Sequence, residues 1–273
     1  MPHDLSRLCI HSITTKPWPL ATALERYAAA GVGGISIWQD AAQATGLPET
    51  RRLLDASPVE VVSYVRGGFF PHSSPAAREQ AVTDNRKMID EAAEIGAPLL
   101  VLVCGAEPAQ SLTESREQIR EGIERLIPHA TASGVRLAIE PLHPMYADTR
   151  SAINTLNQAN DLAETIDHDA VGVAVDVYHL WWDDRLKAQI LRCGAQNNLY
   201  AFHICDWKVP TMDMLLDRGL MGEGCIDLPL IRSWVEAAGF DGYHEVEIFS
   251  ETHWAKDQDC YLEEIISAYR EKS

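Results

Sequence analysis

The chain has 273 residues, 46% of them hydrophobic, and 40 acids against 23 bases give it a formal net charge of −17. That composition supports one large core or two small ones, and it argues against the basic surface that a phosphate backbone demands. No run approaches the ~20 apolar residues of a membrane span, no signal-like apolar region follows Met1, and the six cysteines form no C-x-x-C pair, so the expectation is a soluble cytoplasmic protein without membrane or nucleic-acid partners.

The first apolar segment, Leu8 to Ile10, leads into His11. Pro17 and Pro19 precede a helix over Leu20 to Ala30, which Gly31 closes as a C′ residue. Gly34 to Trp38 reads as the second strand, with a helix expected over Leu47 to Ala56 and stopped by Pro58. Val59 to Val65 is strand three, and the stretch from Arg66 to Pro71 reads as a mobile loop beyond it. Proline in the first turn and Gly96 past the end bound a helix over Pro75 to Ile95. Leu99 to Val103 is apolar on both faces, as a buried parallel strand should be. Thr113 to Thr131 follows as a helix, with Thr113 as its N-cap and Ser133-Gly134 as its stop.

Val135 to Glu140 is strand five; Pro141 cannot continue a central ladder, so the strand ends on the carboxylate. A helix over Thr149 to Ile166 leads to strand six, Val171 to Asp176. Trp181 to Asp184 opens a short helix to Cys193, with Asp183 and Asp184 as acids at its N-terminus. Strand seven runs from Leu199 to His203. A helix over Ile226 to Ala238, strand eight from Tyr243 to Glu247, and a helix over Tyr261 to Glu271 complete the chain. Eight strand-then-helix units imply a parallel sheet with right-handed crossovers. Their number and length fit a single-domain (β/α)8 TIM barrel over residues 1–273. A doubly wound sheet is the alternative, but no G-x-G-x-x-G follows the first strand.

Four successive strands end on a metal-competent side chain: Glu140, Asp176, His203 and Glu247. In a barrel these ends are neighbours at the C-terminal mouth. Three carboxylates and one imidazole suit one divalent ion, with Mn2+ first and Mg2+, Co2+ or Zn2+ as alternatives. Any one of the four alone reads as a solvated cap or an ion-pair partner; three buried carboxylates in register require a cation. Glu245 competes with Glu247 because period two puts both on one face, and Glu247 is chosen as nearer the mouth. His143, His179 and Asp206 each follow a ligand by three residues and suit substrate contacts or ligand orientation. Trp38, Arg66, His72 and His11 are expected at the mouths of strands one to three, opposite the metal half, with Trp38 and Arg66 as substrate contacts.

At these residues the chain resembles the sugar phosphate isomerase/epimerase family, whose barrel is xylose isomerase-like. Ketose 3-epimerases, hydroxypyruvate isomerase, inosose dehydratase and endonuclease IV share that superfamily. The resemblance is carried by Glu140-Pro-Leu-His143, Asp176-Val-Tyr-His179, His203-Ile-Cys-Asp206-Trp207, the stretch Asp217 to Gly224, and Gly239 to Ser250. It implies the same four metal ligands and a substrate-binding role for His179. The chain departs from the best-known ketose 3-epimerases at Tyr146, where they carry a glutamate, and at Val209, where they carry an arginine; Arg218 is the candidate for that arginine's role. The expected activity is isomerisation or epimerisation of a sugar through an enediolate, with Glu140 and Glu247 as acid and base. A metal-dependent lyase is the alternative. Less favoured are an endonuclease IV-like phosphodiesterase, which the acidic charge opposes, and a non-catalytic sugar-binding barrel. A homodimer or homotetramer is implied at the family level.

Overall fold

The computed structural model describes residues 4–273. Eight strands close into a parallel barrel: β1 (Leu8–His11), β2 (Gly34–Trp38), β3 (Glu60–Gly68), β4 (Leu99–Val103), β5 (Arg136–Glu140), β6 (Val171–Asp176), β7 (Leu199–Ile204) and, last in sequence, β10 (His244–Val246). Between β7 and β10 lies a two-stranded antiparallel ribbon, β8 (Asp206–Trp207) with β9 (Arg218–Gly219). The ring is closed by β1 pairing with both β2 and β10. No described helix is long and apolar enough to cross a membrane.

Local chemistry sets the helix ends. The helix Pro75–Ile95 has Ser74 as N-cap, proline in its first turn and left-handed Gly96 at its end, which satisfies orphan backbone groups at both termini. Leu112–Ser133 starts one residue before the expected Thr113, because the Ser111 hydroxyl accepts from Glu114 N and takes the cap. Leu156–Ile166 is capped by Thr155, so it starts later than Thr149; residues Pro144–Tyr146 form a 3-10 turn instead. Asp176 caps a short helix Val177–Leu180, and a separate helix, Leu186–Ala195, follows it. Asp183 accepts from Arg185 N just ahead of that second helix.

One other expectation is corrected, and some elements are new. β3 runs on through Gly68, so Arg66 belongs to a strand and not to a mobile loop. The short helices Gln39–Thr45 and Glu251–Trp254, and the β8–β9 ribbon, carry no periodic pattern long enough to announce them.

The barrel interior explains where polar groups gather. Ala138, Ala174 and Ala201 share a small buried cluster with Val65, Leu99 and Val101. Each alanine stands two residues before Glu140, Asp176 or His203, and period two keeps each pair on the inner face. On β10 the corresponding residue is Glu245, which is buried. The interior therefore has a small-residue floor on one side and a carboxylate on the other.

Candidate metal centre

Glu140 and Asp176 are the last residues of β5 and β6, His203 lies one residue inside the end of β7, and Glu247 directly follows β10. One ligand-competent atom from each lies within 4.8 Å of the others, and all four residues are buried. His203 Nδ1 approaches Glu140 Oε1 to 2.9 Å. Neither atom has a hydrogen-bond partner, so the approach is close without being aligned as a hydrogen bond. Buried polar atoms are rarely left unsatisfied. Two orphaned donor atoms facing one another beside two more carboxylates are what an ion's coordination shell supplies, so the residues fit a divalent cation.

The cationic side chain in the cluster is Arg218, from β9, which is 3% exposed. Its Nη1 donates to Asp176 Oδ2 at 3.0 Å and Glu247 Oε2 at 2.8 Å. Its Nη2 lies 3.2 Å from His179 Nε2, and its guanidinium sits over the Tyr178 ring at 4.4 Å. Burial pushes the Asp176 carboxyl up to about 7, with the charges of Glu247 and Glu140 adding to it against the pull of Arg218. Burial acts on Glu247 in the same direction, but Arg218, His11 and His203 outweigh it and hold that carboxyl well below the usual range. Burial opposes a proton on His203, yet the surrounding Glu245, Glu140 and Glu247 raise it to about 10. Without a metal, then, the pocket draws positive charge onto His203. His179 goes the other way: burial and the adjacent Arg218 press its pKa well below the ordinary imidazole value, so it is neutral.

Beneath the four ligand candidates lies a second polar layer. Glu245 Oε2 accepts from Ser36 Oγ at 2.6 Å and Ser63 Oγ at 3.3 Å and lies 3.1 Å from His11 Nε2. His203 Nε2 is 3.8 Å away on the ring edge opposite Glu140. Glu245 thus lies beneath His203 as a charge partner without a hydrogen bond to it, and the side chain at the mouth is Glu247. His11 corrects an expectation. Barrel closure sets β1 beside β10, so its Nδ1 is 3.2 Å from Glu247 Oε1 and its ring meets His203 edge-on at 4.7 Å. It belongs to the metal half, not opposite it.

Of the other expected substrate contacts, Trp38, Arg66, His179 and Arg218 line the small compartment above the cluster, about 30 Å3 in volume. Asp206 and His143 do not line it. Asp206 is spent on backbone: its two oxygens accept from the amides of Trp207, Gly222, Gly224 and Ile226 at 2.8 to 3.0 Å. His143 stacks on Trp207 at 5.2 Å and accepts from Met145 N, capping its own turn. Residues that sequence reasoning missed are Ser36 and Ser63, whose hydroxyls at inward positions of apolar strands were the available signal, and Phe249, which lines the compartment without any local signature; Tyr146, noted above as a departure from the ketose 3-epimerases, lines it too.

Comparison with known proteins agrees with this fold. A family model described as xylose isomerase-like TIM barrel matches residues 24–271. A Sinorhizobium meliloti protein of known crystal structure is 46% identical, with 98% of each chain covered and a TM-score of 0.95. The crystal structure of IOLI protein with a binding zinc atom shares the fold at 19% identity, with 96% of each chain covered and a TM-score of 0.84. Inosose isomerase of Bacillus subtilis (strain 168) is 23% identical over 185 residues, which make up 66% of this chain and 64% of that protein. The aligned region therefore spans less than two thirds of that curated relative.

Proposed function

Because the chain belongs to the xylose isomerase-like TIM barrel family, we propose that it is a divalent-metal-dependent isomerase or epimerase of a sugar or sugar derivative, with Glu140 and Glu247 as the proton-transferring pair. The observation that carries this reading is the buried convergence of three carboxylates and one imidazole, with Glu140 Oε1 and His203 Nδ1 facing each other and making no hydrogen bond. Glu140, Asp176, His203 and Glu247 would hold the ion: Mn2+ first, with Mg2+, Co2+ or Zn2+ as alternatives. A bound ion supplies Lewis acidity toward a substrate carbonyl.

The chain's own residues supply the rest. Glu140 stands on β5 and Glu247 beyond β10, with β6 and β7 between them. Their carboxylates reach the compartment from two sides. One removes the proton from the carbon beside the carbonyl and the other returns a proton, each made adequate as a base by placement. Return to the opposite face of the same carbon gives the epimer, and return to the neighbouring carbon gives the isomer. Neutral His179 is suited to a substrate hydroxyl, and Arg218, fixed by Asp176 and Glu247, is suited to a developing negative oxygen. The small compartment leaves little room for bulk water beside the reacting carbon.

The test is metal content per chain, followed by a sugar panel in deuterated water. One divalent ion per chain and solvent exchange of the substrate's α-hydrogen are expected, and Glu140→Gln should abolish the exchange. Retained exchange in that variant would sink the acid/base assignment. An unsaturated product, seen as new ultraviolet absorbance, would move the reading to a lyase acting on a keto-inositol, keto-glycoside or dehydroshikimate-like compound. Three zinc ions would revive the nuclease reading, and a folded protein that takes up no metal after reloading would be a non-catalytic barrel.

A further inference from the structure

The compartment over the metal cluster, at about 30 Å3, has room for little more than one water molecule, whose share of the liquid is ~30 Å3. Pockets that hold small organic ligands run to ~300–1,000 Å3. Any substrate that reacts at the cluster therefore needs part of the wall to withdraw. Most of the wall is fixed. Trp38, Arg66, Val103, Glu140 and Arg218 stand on strands, and His179 stands on the helix Val177–Leu180. Leu142 and Phe249 lie between elements, but their backbones are tied down: Leu142 N donates to Ile153 O at 2.9 Å, and Phe249 O accepts from Arg218 N at 3.0 Å. Leu215 is different. It belongs to residues 208–217, which join β8 to β9 without helix or strand of their own, and in which Val209, Met212 and Met214 are exposed. Leu215 also lines the separate cavity of about 770 Å3, so it borders open space on two sides.

Hydrogen bonds show how this segment is held. Asp213 Oδ1 accepts from Leu215 N and Leu216 N, both at 2.8 Å, so the tip is a preformed turn. At the neck Lys208 pairs with Asp217, Asp217 Oδ2 accepts from Met212 N at 2.8 Å, and Glu251 N donates to Leu216 O at 3.2 Å. The tip has one fastening to the barrel. Among the described residues, the hydrogen bonds that tie 209–215 to anything outside the segment both end on Met214 O. It accepts from the hydroxyls of Tyr146 and Tyr178, the latter at 2.9 Å. A carbonyl oxygen has two lone pairs, and both are engaged. The fastening comes from residues of the site itself: Tyr146 lines the compartment, and the Tyr178 ring lies 4.4 Å from the Arg218 guanidinium and 4.8 Å from the Trp207 ring. Swinging the tip outward breaks these two bonds and leaves the internal ones intact, while the freed hydroxyls and carbonyl turn to water. A hydrogen bond exchanged for water shifts an equilibrium about 2- to 12-fold. Two of them keep the segment closed most of the time and leave the open form within reach of microsecond-to-millisecond motion.

We propose that residues 208–217 form a lid over the metal compartment, with Leu215 as its plug and the Tyr146 and Tyr178 hydroxyls as the latch that holds Met214 O. This rests on the reading above that the chemistry takes place at the cluster. Tyr146→Phe and Tyr178→Phe keep both rings in place and remove only the latch, so the test uses the full chain with each change and with both. The first measurement needs neither metal nor substrate. Chymotrypsin, which cuts after methionine, leucine and aromatic residues, is applied to the metal-free protein, and the cuts are located by mass spectrometry. Cutting that follows a rapid opening tracks the open population. Each single variant is expected to speed cutting within 212–216 about 2- to 12-fold. The double variant should speed it at least fivefold, with cuts after the exposed Phe69 and Trp182 no faster. The second measurement follows Mn2+ in the loaded protein. Extraction by EDTA and reloading should both quicken at least fivefold in the double variant while the metal Kd stays the same, because a lid changes passage equally in both directions. Wild-type cutting in the double variant, an equal rise after Phe69 and Trp182, or a changed Kd without faster exchange overturns the lid. The two readings fail separately. If the chain takes up no metal, the cutting ratio alone decides the lid, and the metal reading falls by itself. A working lid with no α-hydrogen exchange on the sugar panel removes the isomerase reading and leaves the lid.

Discussion

Replacing Arg218 by methionine tests how the cluster is held neutral. Methionine keeps a stem of similar length but loses the guanidinium, and with it the charge, its hydrogen bonds and its place over the Tyr178 and Phe249 rings. Arg218 Nη1 is within 3.0 Å of both Asp176 and Glu247, and all three residues are buried. Removing one partner of a buried ion pair leaves an uncompensated charge and costs ~3–5 kcal/mol. For a chain of this size each kcal/mol moves the melting temperature by ~2–4 °C, so the metal-free variant should melt ~6–20 °C below the metal-free wild type. An ion held by Asp176 and Glu247 takes over the neutralisation, so saturating Mn2+ should raise the variant's melting temperature more than the wild type's. At a hundred times Kd the ion contributes ~2.7 kcal/mol of stabilisation by mass action alone, and the variant's extra rise is read against that baseline. The assay is thermal unfolding by circular dichroism after chelation, then with metal restored. A metal-free variant within ~1 kcal/mol of wild type, or identical metal-induced shifts in the two proteins, would refute the view that Arg218 is the cation these carboxylates depend on.

Three more outcomes are expected. Gly68→Ala should lower the melting temperature, because φ is +111° and the added Cβ would lie 1.9 Å from Val103 O; wild-type stability in thermal unfolding would show that β3 can move off β4. Asp206→Ala strips the acceptor from four backbone amides and should cost ~1–3 kcal/mol per amide left dry, with metal content per chain unchanged; a fall in metal content instead would return Asp206 to the site. Asp217 gives a pH dependence. Burial raises its carboxyl, but Lys208 and the amide of Met212 outweigh that and lower it. A lowered folded pKa means that the stabilisation is complete above the unfolded value of ~3.9 and fades as pH falls through the folded value. The stability gap between wild type and Asp217→Asn should therefore be widest near neutrality and close in acid, and a gap independent of pH would contradict the assignment.

The parts of the site legible in the sequence were those written with period two. Ala138-x-Glu140, Ala174-x-Asp176, Ala201-x-His203 and Glu245-x-Glu247 each end an apolar run, and each run became a barrel strand or its end. Strands β2, β4 and β6 fell on their expected residues because glycine, proline or a change of polarity bounds them. What was hidden depends on closure or on competition between like groups. His11 was set on the wrong side because no local pattern says that β1 lies beside β10. Ser111 and Thr113 both cap well, and only the hydrogen bond to Glu114 N separates them. His143 and Asp206 share the spacing of His179, yet backbone amides claimed the first two while His179 came to rest beside Arg218.

The pairing of β1 with β10 also bears on when the site comes into being. His11 and Glu245 meet across 234 residues and Ser36 and Glu245 across 209. Bringing such distant segments together carries a loop-closure entropy of ~5 kcal/mol, which local contacts cannot offset in advance. A nascent chain that has made β5, β6 and β7 already owns three of the four ligand candidates but lacks the fourth and the Glu245 layer beneath His203. An ion held by all four candidates would therefore bridge the seam between β10 and the strands before it. Glu247 fastens β10 to the ligand strands, and His11, 3.2 Å from Glu247, fastens β10 to β1. Loss of the ion should loosen that seam before the remainder of the ring, and amide hydrogens of β1 and β10 should be the first to exchange.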